Sequence, residues 1–212
     1  MRIDQAASIP ATIAVYKPTT EIQTSADLVN IWKNLETNLA LATTVKFTPD
    51  DMTEEGVTFV KGVMDRENMN GGSAAPASIS RTGIMARVQF GLSRDVTGLD
   101  EIFFKPDTVA PTATDPGYQS YSDKAGLTTG LCADVPLYVV VVMPHLCGVA
   151  TTDVSKMLAL PFAVPRATDS QSQLAVNTQY GISGLSFDGL AAPKGTIKGS
   201  ARFIRGVPVT PP

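Results

Sequence analysis

The apolar positions of this chain change period along its length. After Thr24 and Ser25, residue types that cap helix N-termini, and with Asp27 three positions beyond Thr24, the residues Leu28, Ile31, Trp32, Leu35 and Leu39 recur at helical spacing. That spacing predicts an amphipathic helix with one stripe turned to a core. A second start signal, Thr48-Pro49-Asp50-Asp51, puts proline at a first helical position and carboxylates at the positive end of a helix dipole. Met52, Phe59, Val60, Val63 and Met64 would form the apolar face of this second helix, which ends near Asn68, although Gly56 and Gly62 each cost it about 1 kcal/mol relative to alanine. Residues 71–80, GGSAAPASIS, have the small, polar composition of a linker or exposed loop.

Beyond that segment the period falls to two. Ile84, Ala86, Val88 and Phe90 alternate with Met85, Arg87 and Gln89, as a half-buried strand requires. Residues 105–126 carry Pro106, Pro111, Pro116, Gly117 and Gly126 among scattered Thr and Asp, which predicts a long irregular excursion. Residues 136–144, PLYVVVVMP, are β-branched, continuous and stopped by proline at both ends, the pattern of a central strand buried on both faces. A short helix over 151–160 is expected from Asp153 at its start and Val154, Met157 and Leu158 on one face. Strands are expected over 173–182 and 196–204, with the glycines of GISGLSFDGLAAPKG between them. The resulting organisation is a helical N-terminal arm (1–70), a linker (71–80) and a β-rich domain (81–212). The fold class is mainly β with an α-helical N-terminal segment, the β part a sandwich or barrel.

Composition sharpens this picture. The 212 residues suit one domain able to close a core without disulfides or metals. Charged residues are 17% of the chain, against roughly 25% in an ordinary soluble domain. A compact monomer of this mass exposes on the order of 9,400 Å², so few charges are available to keep its surface apart from other copies, and self-association is the expectation. Charge is also unevenly placed. The net charge is −3 overall, yet after Asp188 there is no acid and four bases follow: Lys194, Lys198, Arg202 and Arg205. In a strand over 196–204, Lys198, Ser200 and Arg202 share one face and Ile197, Ala201 and Phe203 the other. Such a face can solubilise the sheet, meet the phosphates of a nucleic acid, or pair with carboxylates of a neighbouring subunit. With Phe203 on the opposite face, stacking on bases is not expected.

Catalytic and metal chemistry find little material. One histidine, His145, and two cysteines, Cys132 and Cys147, do not make a zinc set, and both thiols are expected to be buried. Gly184-Leu185-Ser186-Phe187-Asp188-Gly189 approaches the nucleophile elbow of hydrolases, but Asp188 stands where the second glycine belongs, and His145 is the sole imidazole able to serve Ser186. Asp50, Asp51, Glu54 and Glu55 are explained by a helix start without a cation. Glycines 71 and 72 lack the Lys and Ser/Thr of a phosphate loop. No cofactor, metal or enzymatic activity is therefore expected. The segment MRIDQAASIP has no signal-peptide character, and the longest apolar run is half a membrane span, so a reducing, cytoplasm-like location and no membrane contact are expected.

Two segments carry a resemblance. PLYVVVVMP followed by HLCGVATTDVSKML, and GTIKGSARFIRGVPV near the C-terminus, resemble the small single jelly-roll coat proteins of positive-strand RNA plant viruses, tymovirus-like ones most of all. Gly199, Arg202 and Pro208 occupy positions comparable to the Gly-x-x-Arg pattern and terminal proline stretch of those proteins. The helical first third and the absence of a basic N-terminal arm depart from the family. The resemblance implies a jelly-roll-like antiparallel β-sandwich that self-assembles into a shell around single-stranded RNA, found in the virion and the host cytoplasm. Assembly would be driven mainly by contacts between identical subunits, and Lys194, Lys198, Arg202 and Arg205 would touch RNA or a neighbour. Trp32 and Leu35 would anchor the helical segment on another subunit. A helical filament built of the same subunit is an alternative. So is a monomeric β-sandwich binding module that recognises a partner through the 105–126 excursion, with Tyr118 and Tyr121 as contacts.

Overall fold

The computed structural model describes residues 10–69, 76–103, 106–110, 112–114, 116, 118–121, 137–167, 172–174, 180–192, 196–197 and 201–208. Their structure is mainly antiparallel β-sheet. The strands are β1 (Ala11–Tyr16), β2 (Val45–Phe47), β3 (Thr58–Met69), β4 (Pro76–Leu92), β5 (Pro106–Val109), β6 (Tyr118–Tyr121), β7 (Tyr138–Leu146), β8 (Val149–Ala150), β9 (Leu158–Ala167), β10 (Ser172–Leu174), β11 (Tyr180–Gly189) and β12 (Ile204–Arg205). The helices are α1 (Ser25–Lys33), α2 (Leu35–Ala40) and α3 (Leu99–Phe103). Neighbouring strands run β2-β1-β7-β9-β11-β4-β3, with β8, β10 and β12 attached to β7, β11 and β9, while β5 and β6 pair separately.

This sheet curls until its β2 edge reaches β4. Phe47 of β2 lies 5.1 Å, centroid to centroid, from Phe90 of β4. The chain after β2 then hydrogen bonds to the end of β4: the Thr53 N–H donates to the Gly91 carbonyl and the Ser93 N–H to the Asp51 carbonyl. The enclosed face holds Ile13, Val15, Val88, Val140, Leu160 and Phe187 with other buried apolar side chains. Leu99 and Ile102 of α3 join this interior, and Phe103 packs on Phe187 at 5.1 Å. The strand over PLYVVVVMP lies between β1 and β9, and its residues from Tyr138 to Met143 are buried on both faces, as its continuous apolar run requires.

The outer face is apolar only over β1, β7 and β9. Ala14, Tyr16, Val139, Val141, Met143, Ala159 and Phe162 point outward there and are covered by the stripe of α1 and α2, in which Ile31 and Leu35 are buried and Leu28, Trp32 and Leu39 partly buried. A reciprocal cap holds the start of α1: the Thr24 hydroxyl accepts from the Asp27 N–H, and the Asp27 carboxylate accepts from the Thr24 N–H at 2.8 Å. The helix breaks at Asn34 before α2 resumes.

Several expectations are corrected. Residues 58–69, expected in a helix, form β3, which pairs with β4 from Thr58↔Gln89 to Met69↔Pro76. Phe59-Val60 and Val63-Met64 satisfy helical spacing, but Phe59 belongs to the interior beside Val88. The expected linker at 71–80 overlaps β4, and β1, β2 and β3 bring residues of the expected 1–70 helical arm into the same sheet. The helix expected over 151–160 is a short 3-10 turn at Val154–Lys156, where Asp153 accepts from the Ser155 N–H, followed by β9. The 105–126 excursion contains the β5–β6 pair. Among the described residues of the strand expected over 196–204, only Ile204 is in β12, and Ala201 has φ 45°, a left-handed backbone that breaks any alternation there. In the 173–182 segment β10 and the start of β11 pair antiparallel.

Candidate nucleic-acid and subunit contact site

Two bulges decide which side chains reach the open outer face. In β9 the register against β7 passes from Tyr138↔Ala163 to Val140↔Leu160, so two residues, Pro161 and Phe162, oppose one. Proline has no N–H for the ladder, and a bulge is where a central strand tolerates it. In β11 the register against β4 passes from Ile182↔Leu92 to Leu185↔Phe90, with Gly184 at φ 76° inside the bulge. Each extra residue flips the faces of everything after it. Leu158, Leu160 and Ile182 point inward before the bulges, whereas Arg166 and Asp188, at the same parity, meet in a salt bridge on the outer face after them.

Arg87, placed outward by the alternation of β4, completes this group. Its Nε donates to Asp188 Oδ1 at 2.5 Å and its Nη2 to Oδ2 at 3.1 Å, a bidentate pair across the Asp188↔Arg87 register. Arg166 Nε reaches Asp188 Oδ2 at 2.7 Å from the other side. The Asp188 side chain is 16% exposed, that of Arg87 33% and that of Arg166 57%, so one largely shielded carboxylate holds two reachable guanidiniums on three adjacent strands. The hydrogen bond from Arg87 to Asp188, helped by their Coulomb attraction and opposed by burial, raises the guanidinium above its ordinary value. The alternation over 84–90 places Arg87 on the polar side of its strand but carries no local signal for its partners.

The four C-terminal bases fare differently. Arg202 donates from Nη1 to the Gly189 carbonyl at 3.3 Å, which ties the terminal segment to the end of β11. Arg205 is exposed on β12. Lys194 and Lys198 lie outside the described residues. Leu35, expected to anchor a neighbouring subunit, is instead buried in the chain's own core, and Trp32 packs partly against the same cluster.

One end of the sheet carries apolar side chains in water. Past the Val142↔Leu158 register β7 runs on into a two-residue turn, Cys147-Gly148, with φ 53° and 83°, and Leu146 and Val149 pair across it at 48% and 69% exposure. β12 leaves the sheet past Arg205↔Leu158 at the same end, and Val207 follows at 86% exposure. Cys147, expected to be buried, is an exposed free thiol; Cys132 lies outside the described residues.

His145 and Ser186 are not brought together. His145 Nε2 is 2.8 Å from the Thr12 hydroxyl and Nδ1 is 3.3 Å from the Gly148 carbonyl, while Ser186 is buried in register with Arg166 at the far end of β9, roughly 25 Å of strand away. Asp51 separates from its acidic neighbours by accepting the Thr48 N–H at 2.7 Å, the Thr48 hydroxyl at 2.6 Å and the Arg94 guanidinium. Among the described residues no group of three or more His, Cys, Asp or Glu converges on a possible metal position. Tyr118 and Tyr121 are at the two ends of β6, in register with Val109 and Pro106 of β5.

These features define an antiparallel β protein with a cationic pair on an open sheet face and an apolar end. No family model and no curated protein matches the chain.

Proposed function

We propose that this chain is a structural viral coat protein, a jelly-roll-like subunit whose identical copies assemble into a shell around single-stranded RNA. The observation that carries the proposal is the apolar end of the sheet, where Leu146 and Val149 pair across an exposed turn and Val207 is exposed at the same end. Apolar groups exposed side by side, as Leu146 and Val149 are, mark surfaces that another molecule covers, and charge-depleted interface cores match a chain with 17% charged residues. The curled sheet supports the finer topology, since the β1–β2 and β4 walls face each other across one interior as the two walls of a sandwich do. Such a subunit works in the virion and the host cytoplasm and needs no active site or cofactor.

Purified chain examined by light scattering and electron microscopy, with absorbance at 260 nm read on the same fractions, tests this. Particles carrying nucleic acid are the expected result, and Val149→Asp, which places a carboxylate at the apolar hairpin, is expected to reduce assembly while leaving the monomer folded. Filaments instead of closed shells would select the helical arrangement. Persistence of single chains at every concentration, salt and pH would overturn the coat reading.

A further inference from the structure

The Arg87–Asp188–Arg166 group has the properties of an anion clamp rather than of a closed ion pair. Two guanidiniums carry five N–H donors each, and Asp188 engages three of the ten. One carboxylate against two cations leaves an excess of one positive charge, on an outer face that α1 and α2 leave open and in a chain whose net charge is −3. Both cations are tethered to rigid strands, so little side-chain freedom remains to be lost on binding. The register places Gln89, exposed, and Ser186, buried, on the neighbouring rung of the same face, with Val60 and Val164 flanking the clamp. Gln89 offers hydrogen bonds and the two valines aliphatic surface, and none of these positions carries an aromatic ring to stack on a base.

We propose that Arg87 and Arg166, bridged by Asp188, form a contact site for the backbone phosphates of single-stranded RNA. The site is sequence-independent, because phosphate contacts position a chain without reading it. The assignment to RNA rests on the coat reading: one excess charge on an exposed face contributes little alone, but a polymer of phosphates engages the same clamp on many assembled copies, and avidity multiplies it. An acidic side chain of a separate, monomeric protein partner has no such repetition.

Fluorescence anisotropy of a labelled oligouridylate against salt concentration tests the site on the full-length chain. Arg166→Gln is expected to weaken binding roughly threefold to tenfold at low salt and to reduce the log–log salt slope by about 0.7, the loss of one phosphate contact on a single strand. Arg166→Lys keeps the charge and is expected to keep the slope. Asp188→Asn is expected to tighten binding and steepen the slope, whereas a group serving only the fold would lose thermal stability in both the Gln and Asn variants and shift neither slope. Unchanged slopes in Arg166→Gln and Asp188→Asn overturn the proposal, as does wild-type chain that fails to bind the oligonucleotide. Binding of polyglutamate with the same dependence on Arg166, and no binding of oligouridylate, overturns the RNA assignment in favour of an acidic protein partner. Light scattering on the same variants separates the two readings: normal particles with unchanged slopes sink the clamp alone, and shifted slopes without particles sink the shell alone.

Discussion

The outer face of the sheet is two surfaces joined at β9. Over β1, β7 and β9 it presents Tyr16, Val139, Val141 and Phe162, and two short helices lie on it with Ile31 and Leu35 buried beneath them. Over β9, β11 and β4 the same face presents Arg166, Asp188, Arg87 and Gln89, with the salt-bridged cations still reachable by solvent. The interior face shows no such division, since β1, β7, β9, β11 and β4 each contribute buried apolar groups to it. A continuous sheet can therefore be core on one side and, on the other, half core and half surface. The boundary is set by where the helices end and by the bulges at Pro161 and Gly184.

The largest effects belong to the face that is uniformly apolar. Phe187, fully buried and stacked on Phe90 at a centroid distance of 6.0 Å, has the same strand neighbours as Asp188 but points the other way. Phe187→Ala is expected to destabilise the chain by about 3–5 kcal/mol, read from urea unfolding. Leu35→Ala probes the covered half of the outer face and is expected to cost about 2–3 kcal/mol in the isolated monomer. A Leu35→Ala chain of unchanged stability that failed to assemble would return Leu35 to the subunit interface and remove the distinction between the two halves.

Legibility in the sequence follows the same division. The strand over 136–144 can be read directly, because a continuous β-branched run between prolines has few other uses. The stripe from Leu28 to Leu39 and the Thr24–Asp27 cap also predict the surface that covers it. Residues 58–69 mislead because Phe59, Val60, Val63 and Met64 fit both periods, and what selects the strand is its pairing with β4. Face assignment in β9 and β11 is hidden for a different reason. Simple alternation from Leu158 or Ile182 places Arg166 and Asp188 inside the core, and only the two bulges, each a product of cross-strand register, turn them out. Arg87 and Asp188 are 101 residues apart, so no local pattern joins them. The clustered bases at the C-terminus attract attention for the opposite reason: they are close in sequence, but Arg202 is held by the Gly189 carbonyl.

A smaller effect distinguishes the open half from the closure beneath it. Burial works to raise the Asp51 carboxyl, but hydrogen bonds from the Thr48 hydroxyl and N–H and from Arg94 outweigh it and hold the group below its ordinary value of 3.8. A carboxyl depressed by folding stabilises the folded state fully above its unfolded value, and that contribution is lost as the pH falls through the folded value. Asp51→Asn is expected to cost about 1–2 kcal/mol at neutral pH and to flatten the loss of stability below about pH 4. Asp27 and Asp153 are lowered by their own hydrogen bonds and keep part of that acid limb in the variant. An unchanged acid limb would mean that Asp51 does not help to fasten the 51–53 segment to the end of β4. Unfolding curves from pH 7 to pH 2.5 measure it.

The smallest expected effect is the most direct test of where the outer face is open. Gln89 lies between Arg87 and Gly91 on β4, cross-strand from Ser186, and is exposed. Surface substitutions away from caps, cores and networks fall within about 0.5 kcal/mol, so Gln89→Ala should leave the urea midpoint of the monomer nearly unmoved. The neighbouring inward residue Val88 is fully buried, and Val88→Ala supplies the internal contrast on the same strand. If Gln89→Ala cost as much as Leu35→Ala, the β4 half of the face would be covered as the β7 half is, and the guanidinium pair beside it would not be reachable by a phosphate. If instead the variant is neutral in the monomer but changes RNA affinity, the open face is where the nucleic acid lies. The two measurements, stability of the isolated chain and binding of oligouridylate, therefore have to be made on the same preparation.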